Sequence, residues 1–100
     1  MDFKQMYQEK LVSAEKAASV IKSGDWVDYG WTTATPIAVD KEIAKRLPEL
    51  TDVNFRGGIL MWVPEIFKIE NPAEHMTWNS WHMRGIERKA IAQGYCYYAP

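Results

Sequence analysis

"GDWVDYGWTTATPIAVDKEIAKRLPELTDVNFRGG", residues 24–58, holds two short strand-like stretches with a helix-like run between them. Trp26 opposes Val27 and Asp28 opposes Tyr29, the alternation of a short strand. In the second stretch, expected to span residues 52–63, Val53 and Phe55 share a face. Gly57-Gly58 within it predicts a bulge or a close backbone approach. Between the two, Ile37, Ile43, Ala44 and Leu47 form an apolar stripe at helical spacing, which Pro48 ends. Thr35-Pro36 reads as N-cap and first helical residue, because proline lacks only an N–H that would be unpaired there. Strand, helix and strand in that order predict a βαβ unit, and such units build parallel sheets.

The flanking sequence repeats the alternation. Upstream, Asp2 caps a first helix carrying Phe3, Met6 and Tyr7. Ser13 caps a second, with Glu15 in its first turn, Ala17, Val20 and Ile21 as its buried stripe and Gly24 as its stop. Downstream, Pro64 opens a single-turn helix in "EIFKIE", and Asn71-Pro72 breaks the chain. Residues 76–80 form a third strand. "RGIERKAIAQG" is a helix with Ile86, Ala90 and Ile91 inward and Gly94 as its stop, and "YCYYAP" begins a fourth strand. The expected fold is α/β: an open, mostly parallel sheet flanked by helices on its faces. The sequence halts as that fourth strand begins, which predicts the N-terminal piece of a longer protein.

Composition narrows the function classes. One hundred residues make one small domain. The net charge is −1 and is spread evenly, so no basic face is expected for nucleic acid. Five Trp and five Tyr are not interleaved with Lys/Arg as a single-strand binder needs. No apolar run approaches the ~20 residues that cross a bilayer, and the charged N-terminus has no secretory apolar core. A single cysteine, Cys96, suits a reducing compartment and predicts a cytoplasmic protein.

The loop from Gly30 to Pro36 lies between a strand's C-terminal end and a helix N-terminus, where ligands bind in open α/β sheets. Gly30 permits close approach, and the N–H groups of residues 35–37, Pro36 excepted, would face an anion. Gly30, Trp31, Thr32, Thr33 and Pro36 are therefore candidate substrate-binding residues; the same residues also make an ordinary strand-to-helix connection. Asn79 and Ser80 follow a predicted strand and could hydrogen-bond a ligand, or could simply favour a turn. Arg84, Arg88 and Lys89, with Glu87 among them, read as a solvated helix face. His75, His82 and Cys96 fit no zinc spacing, so no metal is expected. No Ser-His-Asp order or Cys-His pair is identifiable, and Glu65, Glu70 and Glu74 have no visible partner.

Several stretches together carry a resemblance. "YQEKLVSAEKAASVIKSGDWVDYGWTTATPIAVDKEIAKRLPELTDV" resembles the opening of the acetyl-CoA hydrolase/transferase family of glutamate-using CoA-transferases. The matching residues are Tyr7, Lys10-Leu11, Ser13-Ala14-Glu15, Ser23-Gly24-Asp25, Gly30, Pro36 and Asp52-Val53, with Arg88, Gly94, Tyr98 and Pro100 later. Members of the family are longer, with two similar α/β domains. The resemblance thus makes residues 1–100 an incomplete N-terminal domain, without the C-terminal domain that holds the nucleophilic glutamate and the Gly-rich CoA segments. None of Glu65, Glu70, Glu74 and Glu87 inherits the nucleophile's role, and no catalytic residue is expected here. The implied function of the whole is CoA exchange between a short-chain acyl-CoA, butyryl-CoA, and acetate through a glutamyl-CoA thioester. CoA is then a substrate, no cofactor is implied, the partners are acyl-CoA, a carboxylate and the missing domain, and the longer protein is a homo-oligomer. A thioester hydrolase, or a free-standing domain without catalysis, are the alternatives.

Overall fold

Residue-level alternation and capping account for most of the observed elements. A computed structural model describes residues 1–100. Its strands are β1 (Trp26–Asp28), β2 (Val53–Gly57), β3 (Met76–Ser80) and β4 (Cys96–Tyr98), and its helices are α1 (Phe3–Lys10), α2 (Ala14–Ser19), α3 (Ile37–Arg46) and α4 (Gly85–Ala92). Short 3-10 turns occupy Thr32–Ala34, Leu47–Glu49, Glu65–Phe67 and Pro72–Glu74.

All three strand pairs are parallel, in the order β1-β2-β3-β4. In such a sequential order every crossover steps the same way, and right-handed crossovers carry the covering elements to one face. Burial follows that rule. Val53, Phe55, Met76, Trp78 and Cys96 point into the core with Ala18, Ile43, Leu47, Ile66, Phe67 and Ala90. The alternate residues Trp26, Asp28, Arg56 and Tyr97 are exposed, and Asn54, Thr77 and Asn79 are half-buried. The helices therefore flank the sheet, as expected, and within residues 1–100 they pack on one side of it.

The core is built around aromatic rings. Tyr29 meets Phe55 at 5.4 Å and Trp78 at 5.5 Å between centroids, both edge-on. Phe67 meets Trp78 edge-on at 5.3 Å and Tyr95 at 5.2 Å. Edge-to-face pairs of this kind add about 1 kcal/mol each beyond the area they bury. Arg46 ties α2 to α3, its guanidinium donating to the carbonyl oxygens of Ala18 and Ile21.

Several elements differ from the expectation. The Asp2 and Ser13 caps form, accepting from the N–H groups of Gln5 and Lys16. α1 nonetheless buries none of its residues. α2 ends at Ser19, not at Gly24, because Asp25 closes a separate turn by accepting from the Lys22 N–H. That shift buries Ala18 and leaves Val20 69% exposed. β2 stops at Gly57, and the apolar run of residues 59–63 that mimics its continuation is not strand. α3 starts at Ile37, one residue later than a cap at Thr35 would place it. Pro36 supplies the first acceptor carbonyl, to the Asp40 N–H at 2.8 Å, while Thr35 Oγ1 donates backwards to the Thr32 carbonyl. Ile37 and Ile91 are exposed, while Asp40 and Glu87 are buried in their place on the inward sides of α3 and α4.

Candidate functional site

The C-terminal ends of β1, β2 and β3 lie side by side, and the loops that leave them meet. Register places Asp28 beside Arg56, and Arg56 beside Asn79, all on the open face. Asp28 does two things at once. Its Oδ1 accepts from the Gly30 N–H at 2.8 Å, and its Oδ2 pairs with Arg56 Nε at 2.9 Å. The Gly30 N–H and then Arg56 hold its carboxyl below the usual carboxylate range. The Arg56 guanidinium in turn covers the Trp81 ring at 5.3 Å. Trp81 stacks on Trp31, with centroids 5.4 Å apart and planes inclined by 29°. Trp31 follows Gly30 in the chain, so the contacts close a circuit: Asp28, Gly30, Trp31, Trp81, Arg56, Asp28. His82 adds an edge-on contact to Trp31 at 5.1 Å.

Glycines bring the β1 and β2 loops close together. Gly30 has φ +74°, a left-handed conformation natural to glycine. Its carbonyl accepts from the Gly58 N–H at 3.0 Å, which fastens the β1 loop to the β2 loop. A Cβ on Gly57 would lie 2.8 Å from the Trp78 ring and 3.3 Å from the Gly30 oxygen, so the expected close approach is real, although no bulge accompanies it.

The two candidate stretches, 30–36 and 79–82, are thus brought together, but through tryptophans more than through the hydroxyls and amides first singled out. Trp31 is 40% exposed and presents part of its ring outward. Thr32 adopts φ +50°, and its carbonyl accepts from both the N–H and the hydroxyl of Thr35. The N–H of Thr35 is therefore taken up within the loop. Thr33 is exposed and Pro36 half-buried. Asn79 Nδ2 donates to the Phe55 carbonyl at 3.1 Å, and Ser80, fully buried, donates to the His82 carbonyl, with the Gly58 carbonyl 3.4 Å from the same hydroxyl. These two side chains lace the loops to one another. A cleft of about 260 Å3, lined by Leu60, Met61, Arg84, Gly85 and Ile86, opens between the loops that follow β2 and β3.

Two buried carboxylates hold the β2–β3 connection in place. Asp40 accepts from the Tyr29 hydroxyl at 2.8 Å, from the Glu65 N–H at 2.7 Å and from the Ile66 N–H at 3.3 Å. Burial, then the Asp40 charge, raises the Tyr29 hydroxyl far above its ordinary pKa. Glu87 accepts from the Leu60 N–H at 3.2 Å and the Arg84 N–H at 3.1 Å. It is not part of a solvated face. Burial, with the Glu87 charge behind it, pushes the Cys96 thiol up to about 12. Sequence reasoning missed Asp28, Arg56, Trp81, Asp40 and Glu87. Asp28 and Arg56 shared one legible signal, the open-face phase of successive strands.

The family model described as "Acetyl-CoA hydrolase/transferase N-terminal domain" matches residues 1–100. The chain is 60% identical over 100 residues to butyryl-CoA:acetate CoA-transferase of Anaerostipes caccae, covering all of this chain and 22% of that protein. It is 41% identical over 91 residues to a probable butyrate:acetyl-CoA coenzyme A-transferase of Syntrophomonas wolfei, covering 91% of this chain and 20% of that one. Among solved structures, RipA from Yersinia pestis superposes with a TM-score of 0.75 at 25% identity, over 94% of this chain and 22% of that chain. The chain spans about a fifth of the length of the curated relatives it matches.

Proposed function

The chain belongs to the acetyl-CoA hydrolase/transferase family as its N-terminal domain region, and on that premise we propose that it forms part of a CoA-transferase that moves CoA from butyryl-CoA to acetate. Within this enzyme the loop from Gly30 to Pro36 is one wall of the acyl pocket, with Trp31 as its surface. The observation that carries the reading is the stacked Trp31–Trp81 pair at the adjoining ends of three parallel strands. A partly exposed indole, braced from behind, suits a short apolar chain. The remaining candidates, Thr32, Thr33, Pro36, Asn79 and Ser80, shape and lace that wall.

The nucleophilic glutamate belongs to the second domain of a family-length protein. It attacks the butyryl thioester carbonyl, forming a mixed anhydride and releasing CoA thiolate. The thiolate attacks the glutamyl carbonyl of the anhydride, giving the glutamyl-CoA thioester and butyrate. Acetate attacks that thioester, regenerating thiolate and an acetyl anhydride, and the thiolate takes the acetyl group to leave free glutamate. Each exchange is a covalent relay of two easier steps. This chain's part is to seat the acyl group so that the carbonyl meets the nucleophile. We assign the enzyme to the cytoplasm as a homo-oligomer that uses CoA as substrate and needs no separate cofactor. No helix is long and apolar enough to cross a membrane, and the one cysteine is free and buried.

The test uses the family-length protein that contains these residues. Butyryl-CoA is supplied with and without acetate, and acetyl-CoA and free CoA are measured. Transfer requires acetate and yields one acetyl-CoA for each butyryl-CoA consumed. Release of free CoA at the same rate without acetate would make the enzyme a hydrolase. Residues 1–100 alone are expected to form no acetyl-CoA.

A further inference from the structure

Gly58 is buried, and its backbone does not call for glycine. Among the glycines, only Gly24, Gly30 and Gly94 have the positive φ that side chains avoid. Space is what forbids a side chain there. A Cβ on Gly58 would lie 2.1 Å from Cε3, 2.4 Å from Cδ2 and 2.6 Å from Cζ3 of Trp31. Carbon atoms pack at about 3.5–4 Å, so the indole already fills the volume that a side chain at 58 would take. The Gly58 backbone is tied to the neighbouring loop, its N–H donating to the Gly30 carbonyl at 3.0 Å. Trp81 stacks on Trp31 and is itself covered by Arg56. Trp31 is therefore held by two contacts, the bare backbone of Gly58 and the ring of Trp81.

We infer that Gly58 and Trp81 are positioning residues for acyl selectivity: Gly58 sets how deep the Trp31 indole sits, and Trp81 sets its tilt. The inference rests on the reading of Trp31 as the acyl-pocket wall. Neither residue needs to touch substrate. Both act by fixing the surface against which the chain beyond the thioester carbonyl packs, and a short alkyl chain is sensitive to shifts of that size.

The experiment uses the family-length enzyme and the variants Gly58→Ala, Trp31→Ala, the double variant and Trp81→Ala. Two quantities are read: the near-ultraviolet circular dichroism of the coupled tryptophan pair, and the ratio of kcat/KM for butyryl-CoA over acetyl-CoA. Gly58→Ala is expected to remove the pair's signal as fully as Trp31→Ala does, with the far-ultraviolet spectrum kept. It is expected to change the selectivity ratio by about 10-fold, the scale of one or two methylenes in an apolar pocket, and to add less than about twofold in the Trp31→Ala background. Trp81→Ala puts no new atoms into the core and is expected to give the same two effects, so the idea stays testable if Gly58→Ala does not fold. An intact pair signal in a folded Gly58→Ala enzyme, or multiplying effects in the double variant, overturns the inference. If Trp31→Ala leaves the ratio unchanged while the signal is lost in both single variants, the pocket reading falls and the link between positions 58 and 31 stands.

Discussion

Asp40 is a buried carboxylate whose acceptor capacity is filled by one hydroxyl and two backbone N–H groups. Its removal strands three donors in the protein interior, and each stranded donor costs about 1–3 kcal/mol. Asp40→Ala is expected to lower the stability of the folded protein by about 3 kcal/mol, and Asp40→Asn by less, since an amide oxygen still accepts; urea denaturation measures both. Cys96 provides a second check at this scale. Its thiol is buried and raised to about 12, so little thiolate exists at pH 8. Alkylation at that pH is expected to be slow in the native protein and fast in denaturant; equal rates would contradict the buried position. Asp28 sets the acid limit. Its carboxyl is held below the ordinary range in the fold, so its contribution is complete above about pH 4 and is lost as pH falls through the lower folded value. The Trp31–Trp81 fluorescence is expected to change over that acid window, and Asp28→Asn to abolish the change. At this scale the sequence was legible where one residue type has one use, as with Gly30 and the Asp2 and Ser13 caps. It was not legible for Asp40 and Glu87. A carboxylate on a helix face reads as solvated until the partner strand's loop arrives to donate to it.

At the scale of elements, burial and helix formation separate in α1. Its cap forms and its periodicity is helical, yet Phe3 is 74% and Tyr7 60% exposed. Its removal takes nothing from the core. Deleting residues 1–10 is expected to shift the unfolding free energy by less than about 0.5 kcal/mol, whereas shortening α2, which carries Ala18 and the carbonyls that receive Arg46, is expected to cost several times more. Thermal or urea unfolding of the two truncations separates them. The strand assignments came from period-two alternation, and β2 and β3 were plain because Val53, Phe55, Met76 and Trp78 alternate with polar residues. The end of β2 was not. Residues 59–63 are as apolar as a buried strand, and only the bonds that Leu60 N–H makes to Glu87 and Glu65 N–H makes to Asp40 show that the chain has left the ladder.

At the largest scale, residues 1–100 form a one-sided sheet, 47 × 27 × 20 Å, whose other face is polar and aromatic. Its parallel order followed from alternating strands and helices. The restriction of the helices to one side needed the strand order, which alternation alone does not give. The open face and the Trp31–Trp81 pair meet at the same sheet end, and there the family's chemistry places its acyl group in our account. The direct measurement is the ratio of kcat/KM for butyryl-CoA over acetyl-CoA, with acetate as acceptor for the former and propionate for the latter, in the family-length enzyme and its Trp31→Ala variant. We expect the preference for butyryl-CoA to fall by about 10-fold while the folded state, followed by far-ultraviolet circular dichroism, is kept. An unchanged ratio in a folded Trp31→Ala enzyme would contradict the account.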